Sequence, residues 1–392
     1  MKWQRRKMIA QLAMTRFSVV ACLFACPALA YADNTPPFNV QGIEFTPSAG
    51  IFSGYSSNPD ESIGGQSSSF IQYDAGLKAV MKSGASILKA EVHGTILNYD
   101  GLEKDHRWLY EAKASGVSEL TTNDLLEYDV RRRRDNLDDK YDQLSHRVRA
   151  FWTHTAKDFE LKVGSTFRNK DFLVPDTHNE FDYLSPGSEL ILRALPKAEL
   201  SPFMILRGAK LDYLNQVESV VDRDAENYSI TGGWRWQPSK TVEIDIGSRY
   251  NLRVLEDRTY SRIENNYIDL QLQWKPSAEF EAKAAVWREL AEPYMSDGVA
   301  ADQINYELGF VFNPADRWQL EGKGTFQWEH EIGSEVKSSD FELTAAVYYE
   351  INPSLRTFLK GRQLWETDRN SVDHSVEHSE TTEIFTGFET TF

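Results

Sequence analysis

The segment "LQWKPSAEFEAKAAV", from Leu272 to Val286, contains the pattern that decides the fold of this chain. An alternating run ends at Trp274, a polar turn follows at Pro276, and a second alternating run leaves that turn. The same order recurs around three further prolines: Pro238, Pro314 and Pro353. The four prolines stand 38, 38 and 39 residues apart. Such a regular interval predicts a series of β-hairpins of nearly equal length.

The alternation separates polar from apolar residues. In 242–250 the odd positions carry polar or small residues and the even positions mainly apolar ones, and 268–274, 305–312 and 318–329 repeat the split. A period of two indicates strands with one face of each kind. The strands run about nine to twelve residues, close to the length that crosses a bilayer at a tilt. Aromatic residues stand at the ends of the apolar faces, as in transmembrane barrels, whereas a β-sandwich would bury its largest side chains in the middle.

Turn signals and alternation together give eighteen strands, with sixteen as the alternative. Short connections, such as the proline turns, alternate with longer polar ones, such as 54–68 and 366–380. We therefore predict an all-β fold: a transmembrane antiparallel up-and-down β-barrel with short periplasmic turns and long outer loops. An even number of strands places both termini on the periplasmic side.

The amino-terminal segment has the organisation of a secretory signal peptide. Basic residues precede the apolar run 17–30, and small residues offer cleavage after Ala30 or Ala32. The predicted domains are accordingly a signal peptide at 1–32 and an outer-membrane barrel at 33–392. Both cysteines, Cys22 and Cys26, lie in the segment to be removed, so we expect no disulfide. The net charge of -16 argues against nucleic acid as a partner.

The chain ends in an amphipathic strand that directs Ile384, Thr386 and Phe388 to the same face as the last residue, Phe392. An aromatic last residue in such a strand resembles the terminal signature of bacterial outer-membrane barrels. The resemblance implies that Phe392 is a signal for membrane assembly, read by the barrel-assembly machinery.

The chain also resembles the β-barrel porin 2 family. The resemblance rests on "FTPSAGIFSGYSSNPDES" at 45–62, where a first strand runs into a Gly-Tyr segment, and on Pro-Ser turns followed by "FEAK", or by "VEID" after Pro238. It implies an outer-membrane barrel of the kind often encoded beside exopolysaccharide or capsule genes, and passage of a polysaccharide or of small solutes.

The polar face of the barrel is predicted to line a water-filled channel, which eighteen strands are wide enough to enclose. The candidate lining residues carry both signs of charge: Arg147, Arg149, Lys162, Arg168, Arg193, Arg235, Arg249, Arg356, Arg362, Glu243, Asp245 and Glu307. Basic residues gather in strands six to eight and seventeen, and acidic ones in strands eleven to sixteen. Two interpretations are open: a field across the pore that orients an anionic sugar chain, or pairing of the charges with one another for stability.

Other polar clusters are weaker candidates. The run "RRRR" at 131–134 is placed where strand five leaves the membrane; a salt-bridged loop or a lipopolysaccharide contact is the favoured interpretation, and an anion or polysaccharide site is the alternative. His374, Glu377 and His378 have spacings that a metal could use, but a solvated loop is the simpler interpretation, and neither a metal nor a cofactor is predicted. His93, His106 and His154 stand on separate strands without a nucleophile at diagnostic spacing, so the chain is predicted not to be an enzyme.

Three hypotheses of function follow. The first is an outer-membrane channel that exports an exopolysaccharide or capsular polysaccharide, the second a general or substrate-selective diffusion porin, and the third a structural or adhesion barrel with binding loops. The expected partners are outer-membrane lipid and lipopolysaccharide, the barrel-assembly machinery, the polysaccharide, and periplasmic export components.

Overall fold

The structure is a computed structural model that describes residues 38–59, 66–100, 106–136, 142–173, 182–214, 222–256, 261–292, 298–334, 336–370 and 375–391. The predicted signal peptide and Phe392 lie outside these residues. Within the described part of the chain, no helix is long and apolar enough to span a membrane.

The described residues form nineteen strands in one sheet: β1 (Phe38–Val40), β2 (Ile43–Ser56), β3 (Ser68–Ser83), β4 (Ser86–Tyr99), β5 (His106–Glu119), β6 (Asp124–Asn136), β7 (Gln143–Thr155), β8 (Phe159–Phe172), β9 (Tyr183–Ala194), β10 (Leu200–Tyr213), β11 (Ala225–Ser239), β12 (Val242–Leu255), β13 (Arg262–Trp274), β14 (Phe280–Ala291), β15 (Ala300–Ala315), β16 (Trp318–Ile332), β17 (Val336–Asn352), β18 (Leu355–Asn370) and β19 (Val376–Thr391).

The sheet closes into a barrel. Each strand from β2 to β19 pairs antiparallel with the next, and β19 pairs with β2 between Glu383–Thr391 and Ser48–Ser56. The predicted eighteen-stranded up-and-down barrel is therefore confirmed. The additional strand β1 was not predicted: it turns back through Gln41 and Gly42, both at positive φ, and pairs with the start of β2 beyond the end of β19.

The two rims differ as predicted. At one rim, the short-turn rim, connections of two to five residues join β3–β4, β5–β6 and every second pair up to β17–β18. At the other, the long-loop rim, connections reach eleven residues, as between β2 and β3 and between β10 and β11. The ends of β2 and β19 that lie nearest the two termini of the chain both lie at the short-turn rim.

Two of the recurrent prolines occupy bulges at the ends of strands. Pro238 and Pro314 each lie where two residues of one strand oppose a single residue of the next. The residue before each proline donates its N–H to the neighbouring hairpin, Gln237 to the Glu199 carbonyl at 2.7 Å and Asn313 to the Glu279 carbonyl at 2.8 Å. A proline has no N–H, so it fits the position where the ladder requires none.

The outward face is apolar across the width of the barrel. Ile268 and Leu308, near the middle of their strands, are 69% and 64% exposed, and exposed Trp236, Trp274 and Trp318 stand near the short-turn rim. Exposed aliphatic side chains in the middle of the strands, with tryptophans toward one rim, are typical of the surface of a protein embedded in lipid. The chain is thus an antiparallel β-barrel of the outer-membrane type.

Part of the inner face is packed with aromatic rings. We call this cluster the aromatic seam: Phe52 of β2, Phe70 of β3, Tyr99 of β4, Phe358 of β18 and Phe385 of β19. Phe52 lies 5.1 Å from Phe358 between ring centroids, and Phe70 lies 5.5 Å from Tyr99 and 6.0 Å from Phe385. The ring of Phe52 covers Gly50 and Gly387, where an added Cβ would come within 2.4 Å of it. The seam fills the lumen beside the closing strands and leaves the open space elsewhere.

Candidate functional site: the lumen cavity

A cavity of about 1170 Å³ lies along the inner face of β7 to β15. Its lining is mostly polar and includes arginines, carboxylates, amides and serines from all nine strands. Phe151, Tyr183 and Trp287 add aromatic faces to this lining. The alternation of the strands produces such a wall, because every second residue must face away from lipid.

Six of the predicted lining residues lie on this cavity: Arg149, Arg168, Glu243, Asp245, Arg249 and Glu307. Arg362 lies instead on a smaller cavity of about 340 Å³ toward β18. The remaining predicted residues of the set, Arg147, Lys162, Arg193, Arg235 and Arg356, stand on the same wall or on β18 and form the ion pairs described next.

Most of these charges are paired across neighbouring strands. Arg235 donates to both oxygens of Asp245, at 2.7 Å and 2.6 Å. The other pairs are Arg249 with Asp269, Lys162 with Glu127, Arg193 with Glu160, Arg356 with Glu389, Arg362 with Glu342 and Glu383, and Lys323 with Glu307. The pairing favours the second interpretation of the lumen charges, that they serve stability, over most of the wall. A field between a basic and an acidic wall stays a prediction.

One group of cations departs from this rule. We call Arg131 of β6, Arg147 of β7 and Arg168 of β8 the arginine row, because each stands directly opposite the next in the register of the sheet. Arg149 lies one step nearer the short-turn rim. Asp129 accepts from both Arg147, at 3.4 Å, and Arg149. The row lies in the half of the barrel nearer the long-loop rim.

The row corrects the placement of the "RRRR" run. Residues 131–134 lie inside β6, which continues to Asn136, and not in a loop. Alternation therefore divides the run: Arg131 and Arg133 face the lumen, and Arg132 and Arg134 face outward. Arg134 lies 4.6 Å from the ring of Trp108 and pairs with Asp142 at 2.6 Å. The two outward arginines lie at the height where a lipid headgroup would lie.

The long-loop rim is narrowed above the cavity. Arg253 of β12, 1% exposed, donates to Asn227 at 2.8 Å and to the Val299 carbonyl at 2.9 Å, and pairs with Glu292. Tyr213 donates its hydroxyl to the same Glu292 at 2.6 Å. Glu292 and Val299 flank the β14–β15 connection, so both ends of this connection are held against the inside of β10 to β12.

A second contact holds the β2–β3 connection inward. Arg107 of β5, 5% exposed, donates to the Pro59 carbonyl at 2.8 Å, and Thr381 of β19 donates to the Asn58 carbonyl at 3.2 Å. These contacts and those of Arg253 hold the described ends of two long-loop connections against the inside of the barrel.

The histidines considered above do not converge. His93 contacts Thr95 at 3.2 Å, and His154 contacts Asp124 at 2.9 Å near the short-turn rim, far from His93 along the strands. His106 belongs to β5. Glu377 and His378 belong to β19, whereas His374 lies outside the described residues. No group of three or more metal-binding side chains occurs in the described ranges.

Several residues of the site were not identified from the sequence. Asp129, Glu189 and Arg207 complete the ion pairs of β6 to β10, and Arg253 with Glu292 narrows the mouth. A signal for Arg253 was present, because it stands two residues after Asn251 and four after Arg249, on the same lumen-facing side of the strand.

Comparison with known proteins found likeness only among solved structures of low sequence identity. No protein-family model and no curated protein match the chain, so the resemblance to the β-barrel porin 2 family stays a prediction. Among solved structures, the siderophore receptor PirA from Pseudomonas aeruginosa is 10% identical with a TM-score of 0.44, over 92% of this chain and 81% of that one. OccAB4 from Acinetobacter baumannii is 10% identical with a TM-score of 0.47, over 90% and 99%. The FrpB iron transporter from Neisseria meningitidis is 9% identical with a TM-score of 0.47, over 88% and 82%.

The fold and the cavity define an outer-membrane β-barrel with the architecture of a channel or transporter. This statement rests on the closed register, the apolar outer band and the polar interior of the chain itself.

Proposed function

We propose that the protein is a channel of the cell outer membrane that passes an exopolysaccharide or capsular polysaccharide. The observation that carries this proposal is the cavity lined by β7 to β15, whose volume of about 1170 Å³ exceeds the roughly 300–1000 Å³ of ordinary small-molecule pockets. A polymer requires a long, continuously polar path in place of one enclosing pocket.

The chemistry of the lining suits a sugar chain. Amide and carboxylate groups such as Gln271 and Glu289 can exchange hydrogen bonds with successive hydroxyls, and Trp287 offers a flat apolar face to a pyranose ring. Ion pairs such as Arg235 with Asp245 hold the neighbouring side chains in fixed positions, so a moving chain meets an ordered wall. The outward apolar band supports residence in the outer membrane, with lipid, lipopolysaccharide and the barrel-assembly machinery as partners.

A second candidate is a general or substrate-selective diffusion porin. The observation that favours it is the near-complete pairing of lumen charges in β11 to β13, because a neutralised polar bore admits small solutes of either sign.

Deletion of the gene in its own host separates the two candidates. Export predicts loss of secreted polymer with unchanged uptake of small sugars, and complementation with the full chain restores the polymer. Normal polymer with slower solute uptake would overturn export in favour of the porin. Normal values of both, together with lost attachment to surfaces, would favour a structural or adhesion barrel.

A further inference from the structure

The arginine row places like charges face to face. Arg131 is the direct partner of Arg147, and Arg147 is the direct partner of Arg168, on three successive strands. Side chains at directly opposed positions of a sheet have Cβ atoms about 4.5–5.5 Å apart, and like charges there are destabilising. The rest of the lumen shows that this chain can instead place a carboxylate opposite an arginine, as with Arg235 and Asp245.

The carboxylates near the row are too few to neutralise it. Asp129 is shared by Arg147 and Arg149, and Glu111 is shared by Arg131 and Lys113. Five cations therefore face two anions. Among the described residues no carboxylate lies within ion-pair distance of Arg168, which is exposed to the cavity.

The row also has an unfilled donor. The Nε of Arg147 is buried and donates to no acceptor in the described structure. A buried guanidinium nitrogen without an acceptor costs free energy, which an anionic oxygen bound beside Arg147 would remove. Arg168 lines the cavity and Arg147 stands directly opposite it on the next strand, so two neighbouring forked donors meet at the cavity wall, which suits a planar anion with two oxygens.

We propose that the arginine row is a binding site for the carboxylate of an acidic sugar in the transported chain, a uronate. The choice of a carboxylate follows from the row itself, where Glu111 accepts from Arg131 Nε at 2.8 Å and Asp129 bridges Arg147 and Arg149. The site rests on the proposed function for its ligand, and Arg168, which lines the cavity, brings the row to the path that a sugar chain would follow.

The test uses the purified full chain in planar bilayers, with trigalacturonate as the probe and maltotriose as the neutral control. Trigalacturonate should reduce the ionic current, and Arg168→Gln should raise the half-blocking concentration about tenfold, the value of one charge-assisted hydrogen bond. Arg168→Lys keeps the positive charge but loses the forked guanidinium donors, so its half-blocking concentration should lie between those of the unchanged protein and of Arg168→Gln.

Two matched variants show whether the effect is local. Arg235→Gln removes one positive charge from the same lumen, and Arg134→Gln removes one from the outward half of the same four-residue run. Both should shift the half-blocking concentration less than threefold. Equal shifts in Arg168→Gln and Arg235→Gln would overturn the site in favour of a general lumen field, as would equal block by maltotriose. Block by inorganic phosphate at the same concentration would overturn the preference for a carboxylate.

Calorimetric titration of trigalacturonate into the detergent-solubilised protein tests the binding site independently of the proposed channel function. Binding that weakens in Arg168→Gln while the bilayers show no current would sustain the site and contradict a channel. A current with no binding and no block would sustain the channel and contradict the site. If Arg168→Gln lost the heat-modifiable gel shift that marks a folded barrel, Arg168→Lys would replace it in both measurements.

Discussion

The aromatic seam and the arginine row are both built from lumen-facing residues on neighbouring strands, yet the residues that face each other differ. In the seam, Phe52 and Phe358 stand on either side of Gly387, and the tilted rings, 5.1 Å apart, fit over glycines as side chains do in a soluble core. In the row, Arg147 faces arginines on both sides. In the seam the facing residues fit each other and stabilise the barrel wall. In the row they repel each other and can bind a ligand of opposite charge.

The largest expected effect comes from removing the centre of the seam. Phe52→Ala should lower the free energy of unfolding by about 3–5 kcal/mol, because Phe52 is 4% exposed and its loss leaves a cavity between Phe358 and the two glycines. Urea unfolding in lipid vesicles, followed by tryptophan fluorescence, measures this. Ile51→Ala on the outward face, where the side chain is 49% exposed, is the control and should cost clearly less. Equal costs would show that the seam is not a packed core.

The next largest effect on stability tests how closely the Phe52 ring fits over Gly50. Gly50→Ala should cost about 1–3 kcal/mol, because the added Cβ would lie 2.4 Å from Cζ of Phe52. In a Phe52→Ala background the same change should become neutral or stabilising, since glycine in a strand is itself less favourable than alanine by roughly 0.5–1 kcal/mol. The double-mutant cycle measures the coupling. Additive costs would show that the strain arises from the backbone and not from the ring.

The fold was predictable to a large extent because two local signals agree. A period of two marked the strands and proline or glycine marked the turns, and together they located all eighteen barrel strands. The ends were set too short: strands of about nine to twelve residues were predicted, whereas β6, for example, has 13 residues from Asp124 to Asn136. The expected length was that of a membrane crossing, whereas the hydrogen-bonded wall continues beyond the bilayer. The misplaced "RRRR" run follows from that difference.

The sequence predicted which face of the barrel wall each site residue lies on, but not which residue stands opposite it on the next strand. Alternation placed Arg147 and Arg168 in the lumen, but their opposition depends on register. A shift of two residues would place Thr166 or Lys170 opposite Arg147 and keep every side chain on its own face, so the apolar pattern does not distinguish these registers. The seam did leave a local signal, since Phe52 stands between Gly50 and Gly54 at lumen-facing positions.

A smaller effect is expected where a lumen arginine has a fitted partner. Arg235→Gln should cost about 1 kcal/mol, because it leaves Asp245 without its bidentate donor at a site that water still reaches. Asp245→Asn should cost a similar amount, and the double variant should cost less than the sum. The same urea series measures all three. Strictly additive costs would show that the two side chains do not act as a pair.

The smallest effect on stability is expected in the arginine row, and it distinguishes Arg168 from the lumen arginines that form ion pairs. Arg168→Gln should change the free energy of unfolding by less than about 0.5 kcal/mol, or raise it slightly, because the change removes a charge that faces Arg147 and breaks no ion pair among the described residues. Asp129→Asn is the contrasting variant: it removes the carboxylate shared by Arg147 and Arg149 and should destabilise the wall. If Arg168→Gln cost as much as Arg235→Gln, Arg168 would be a structural residue, and the row would have no free charge for a ligand.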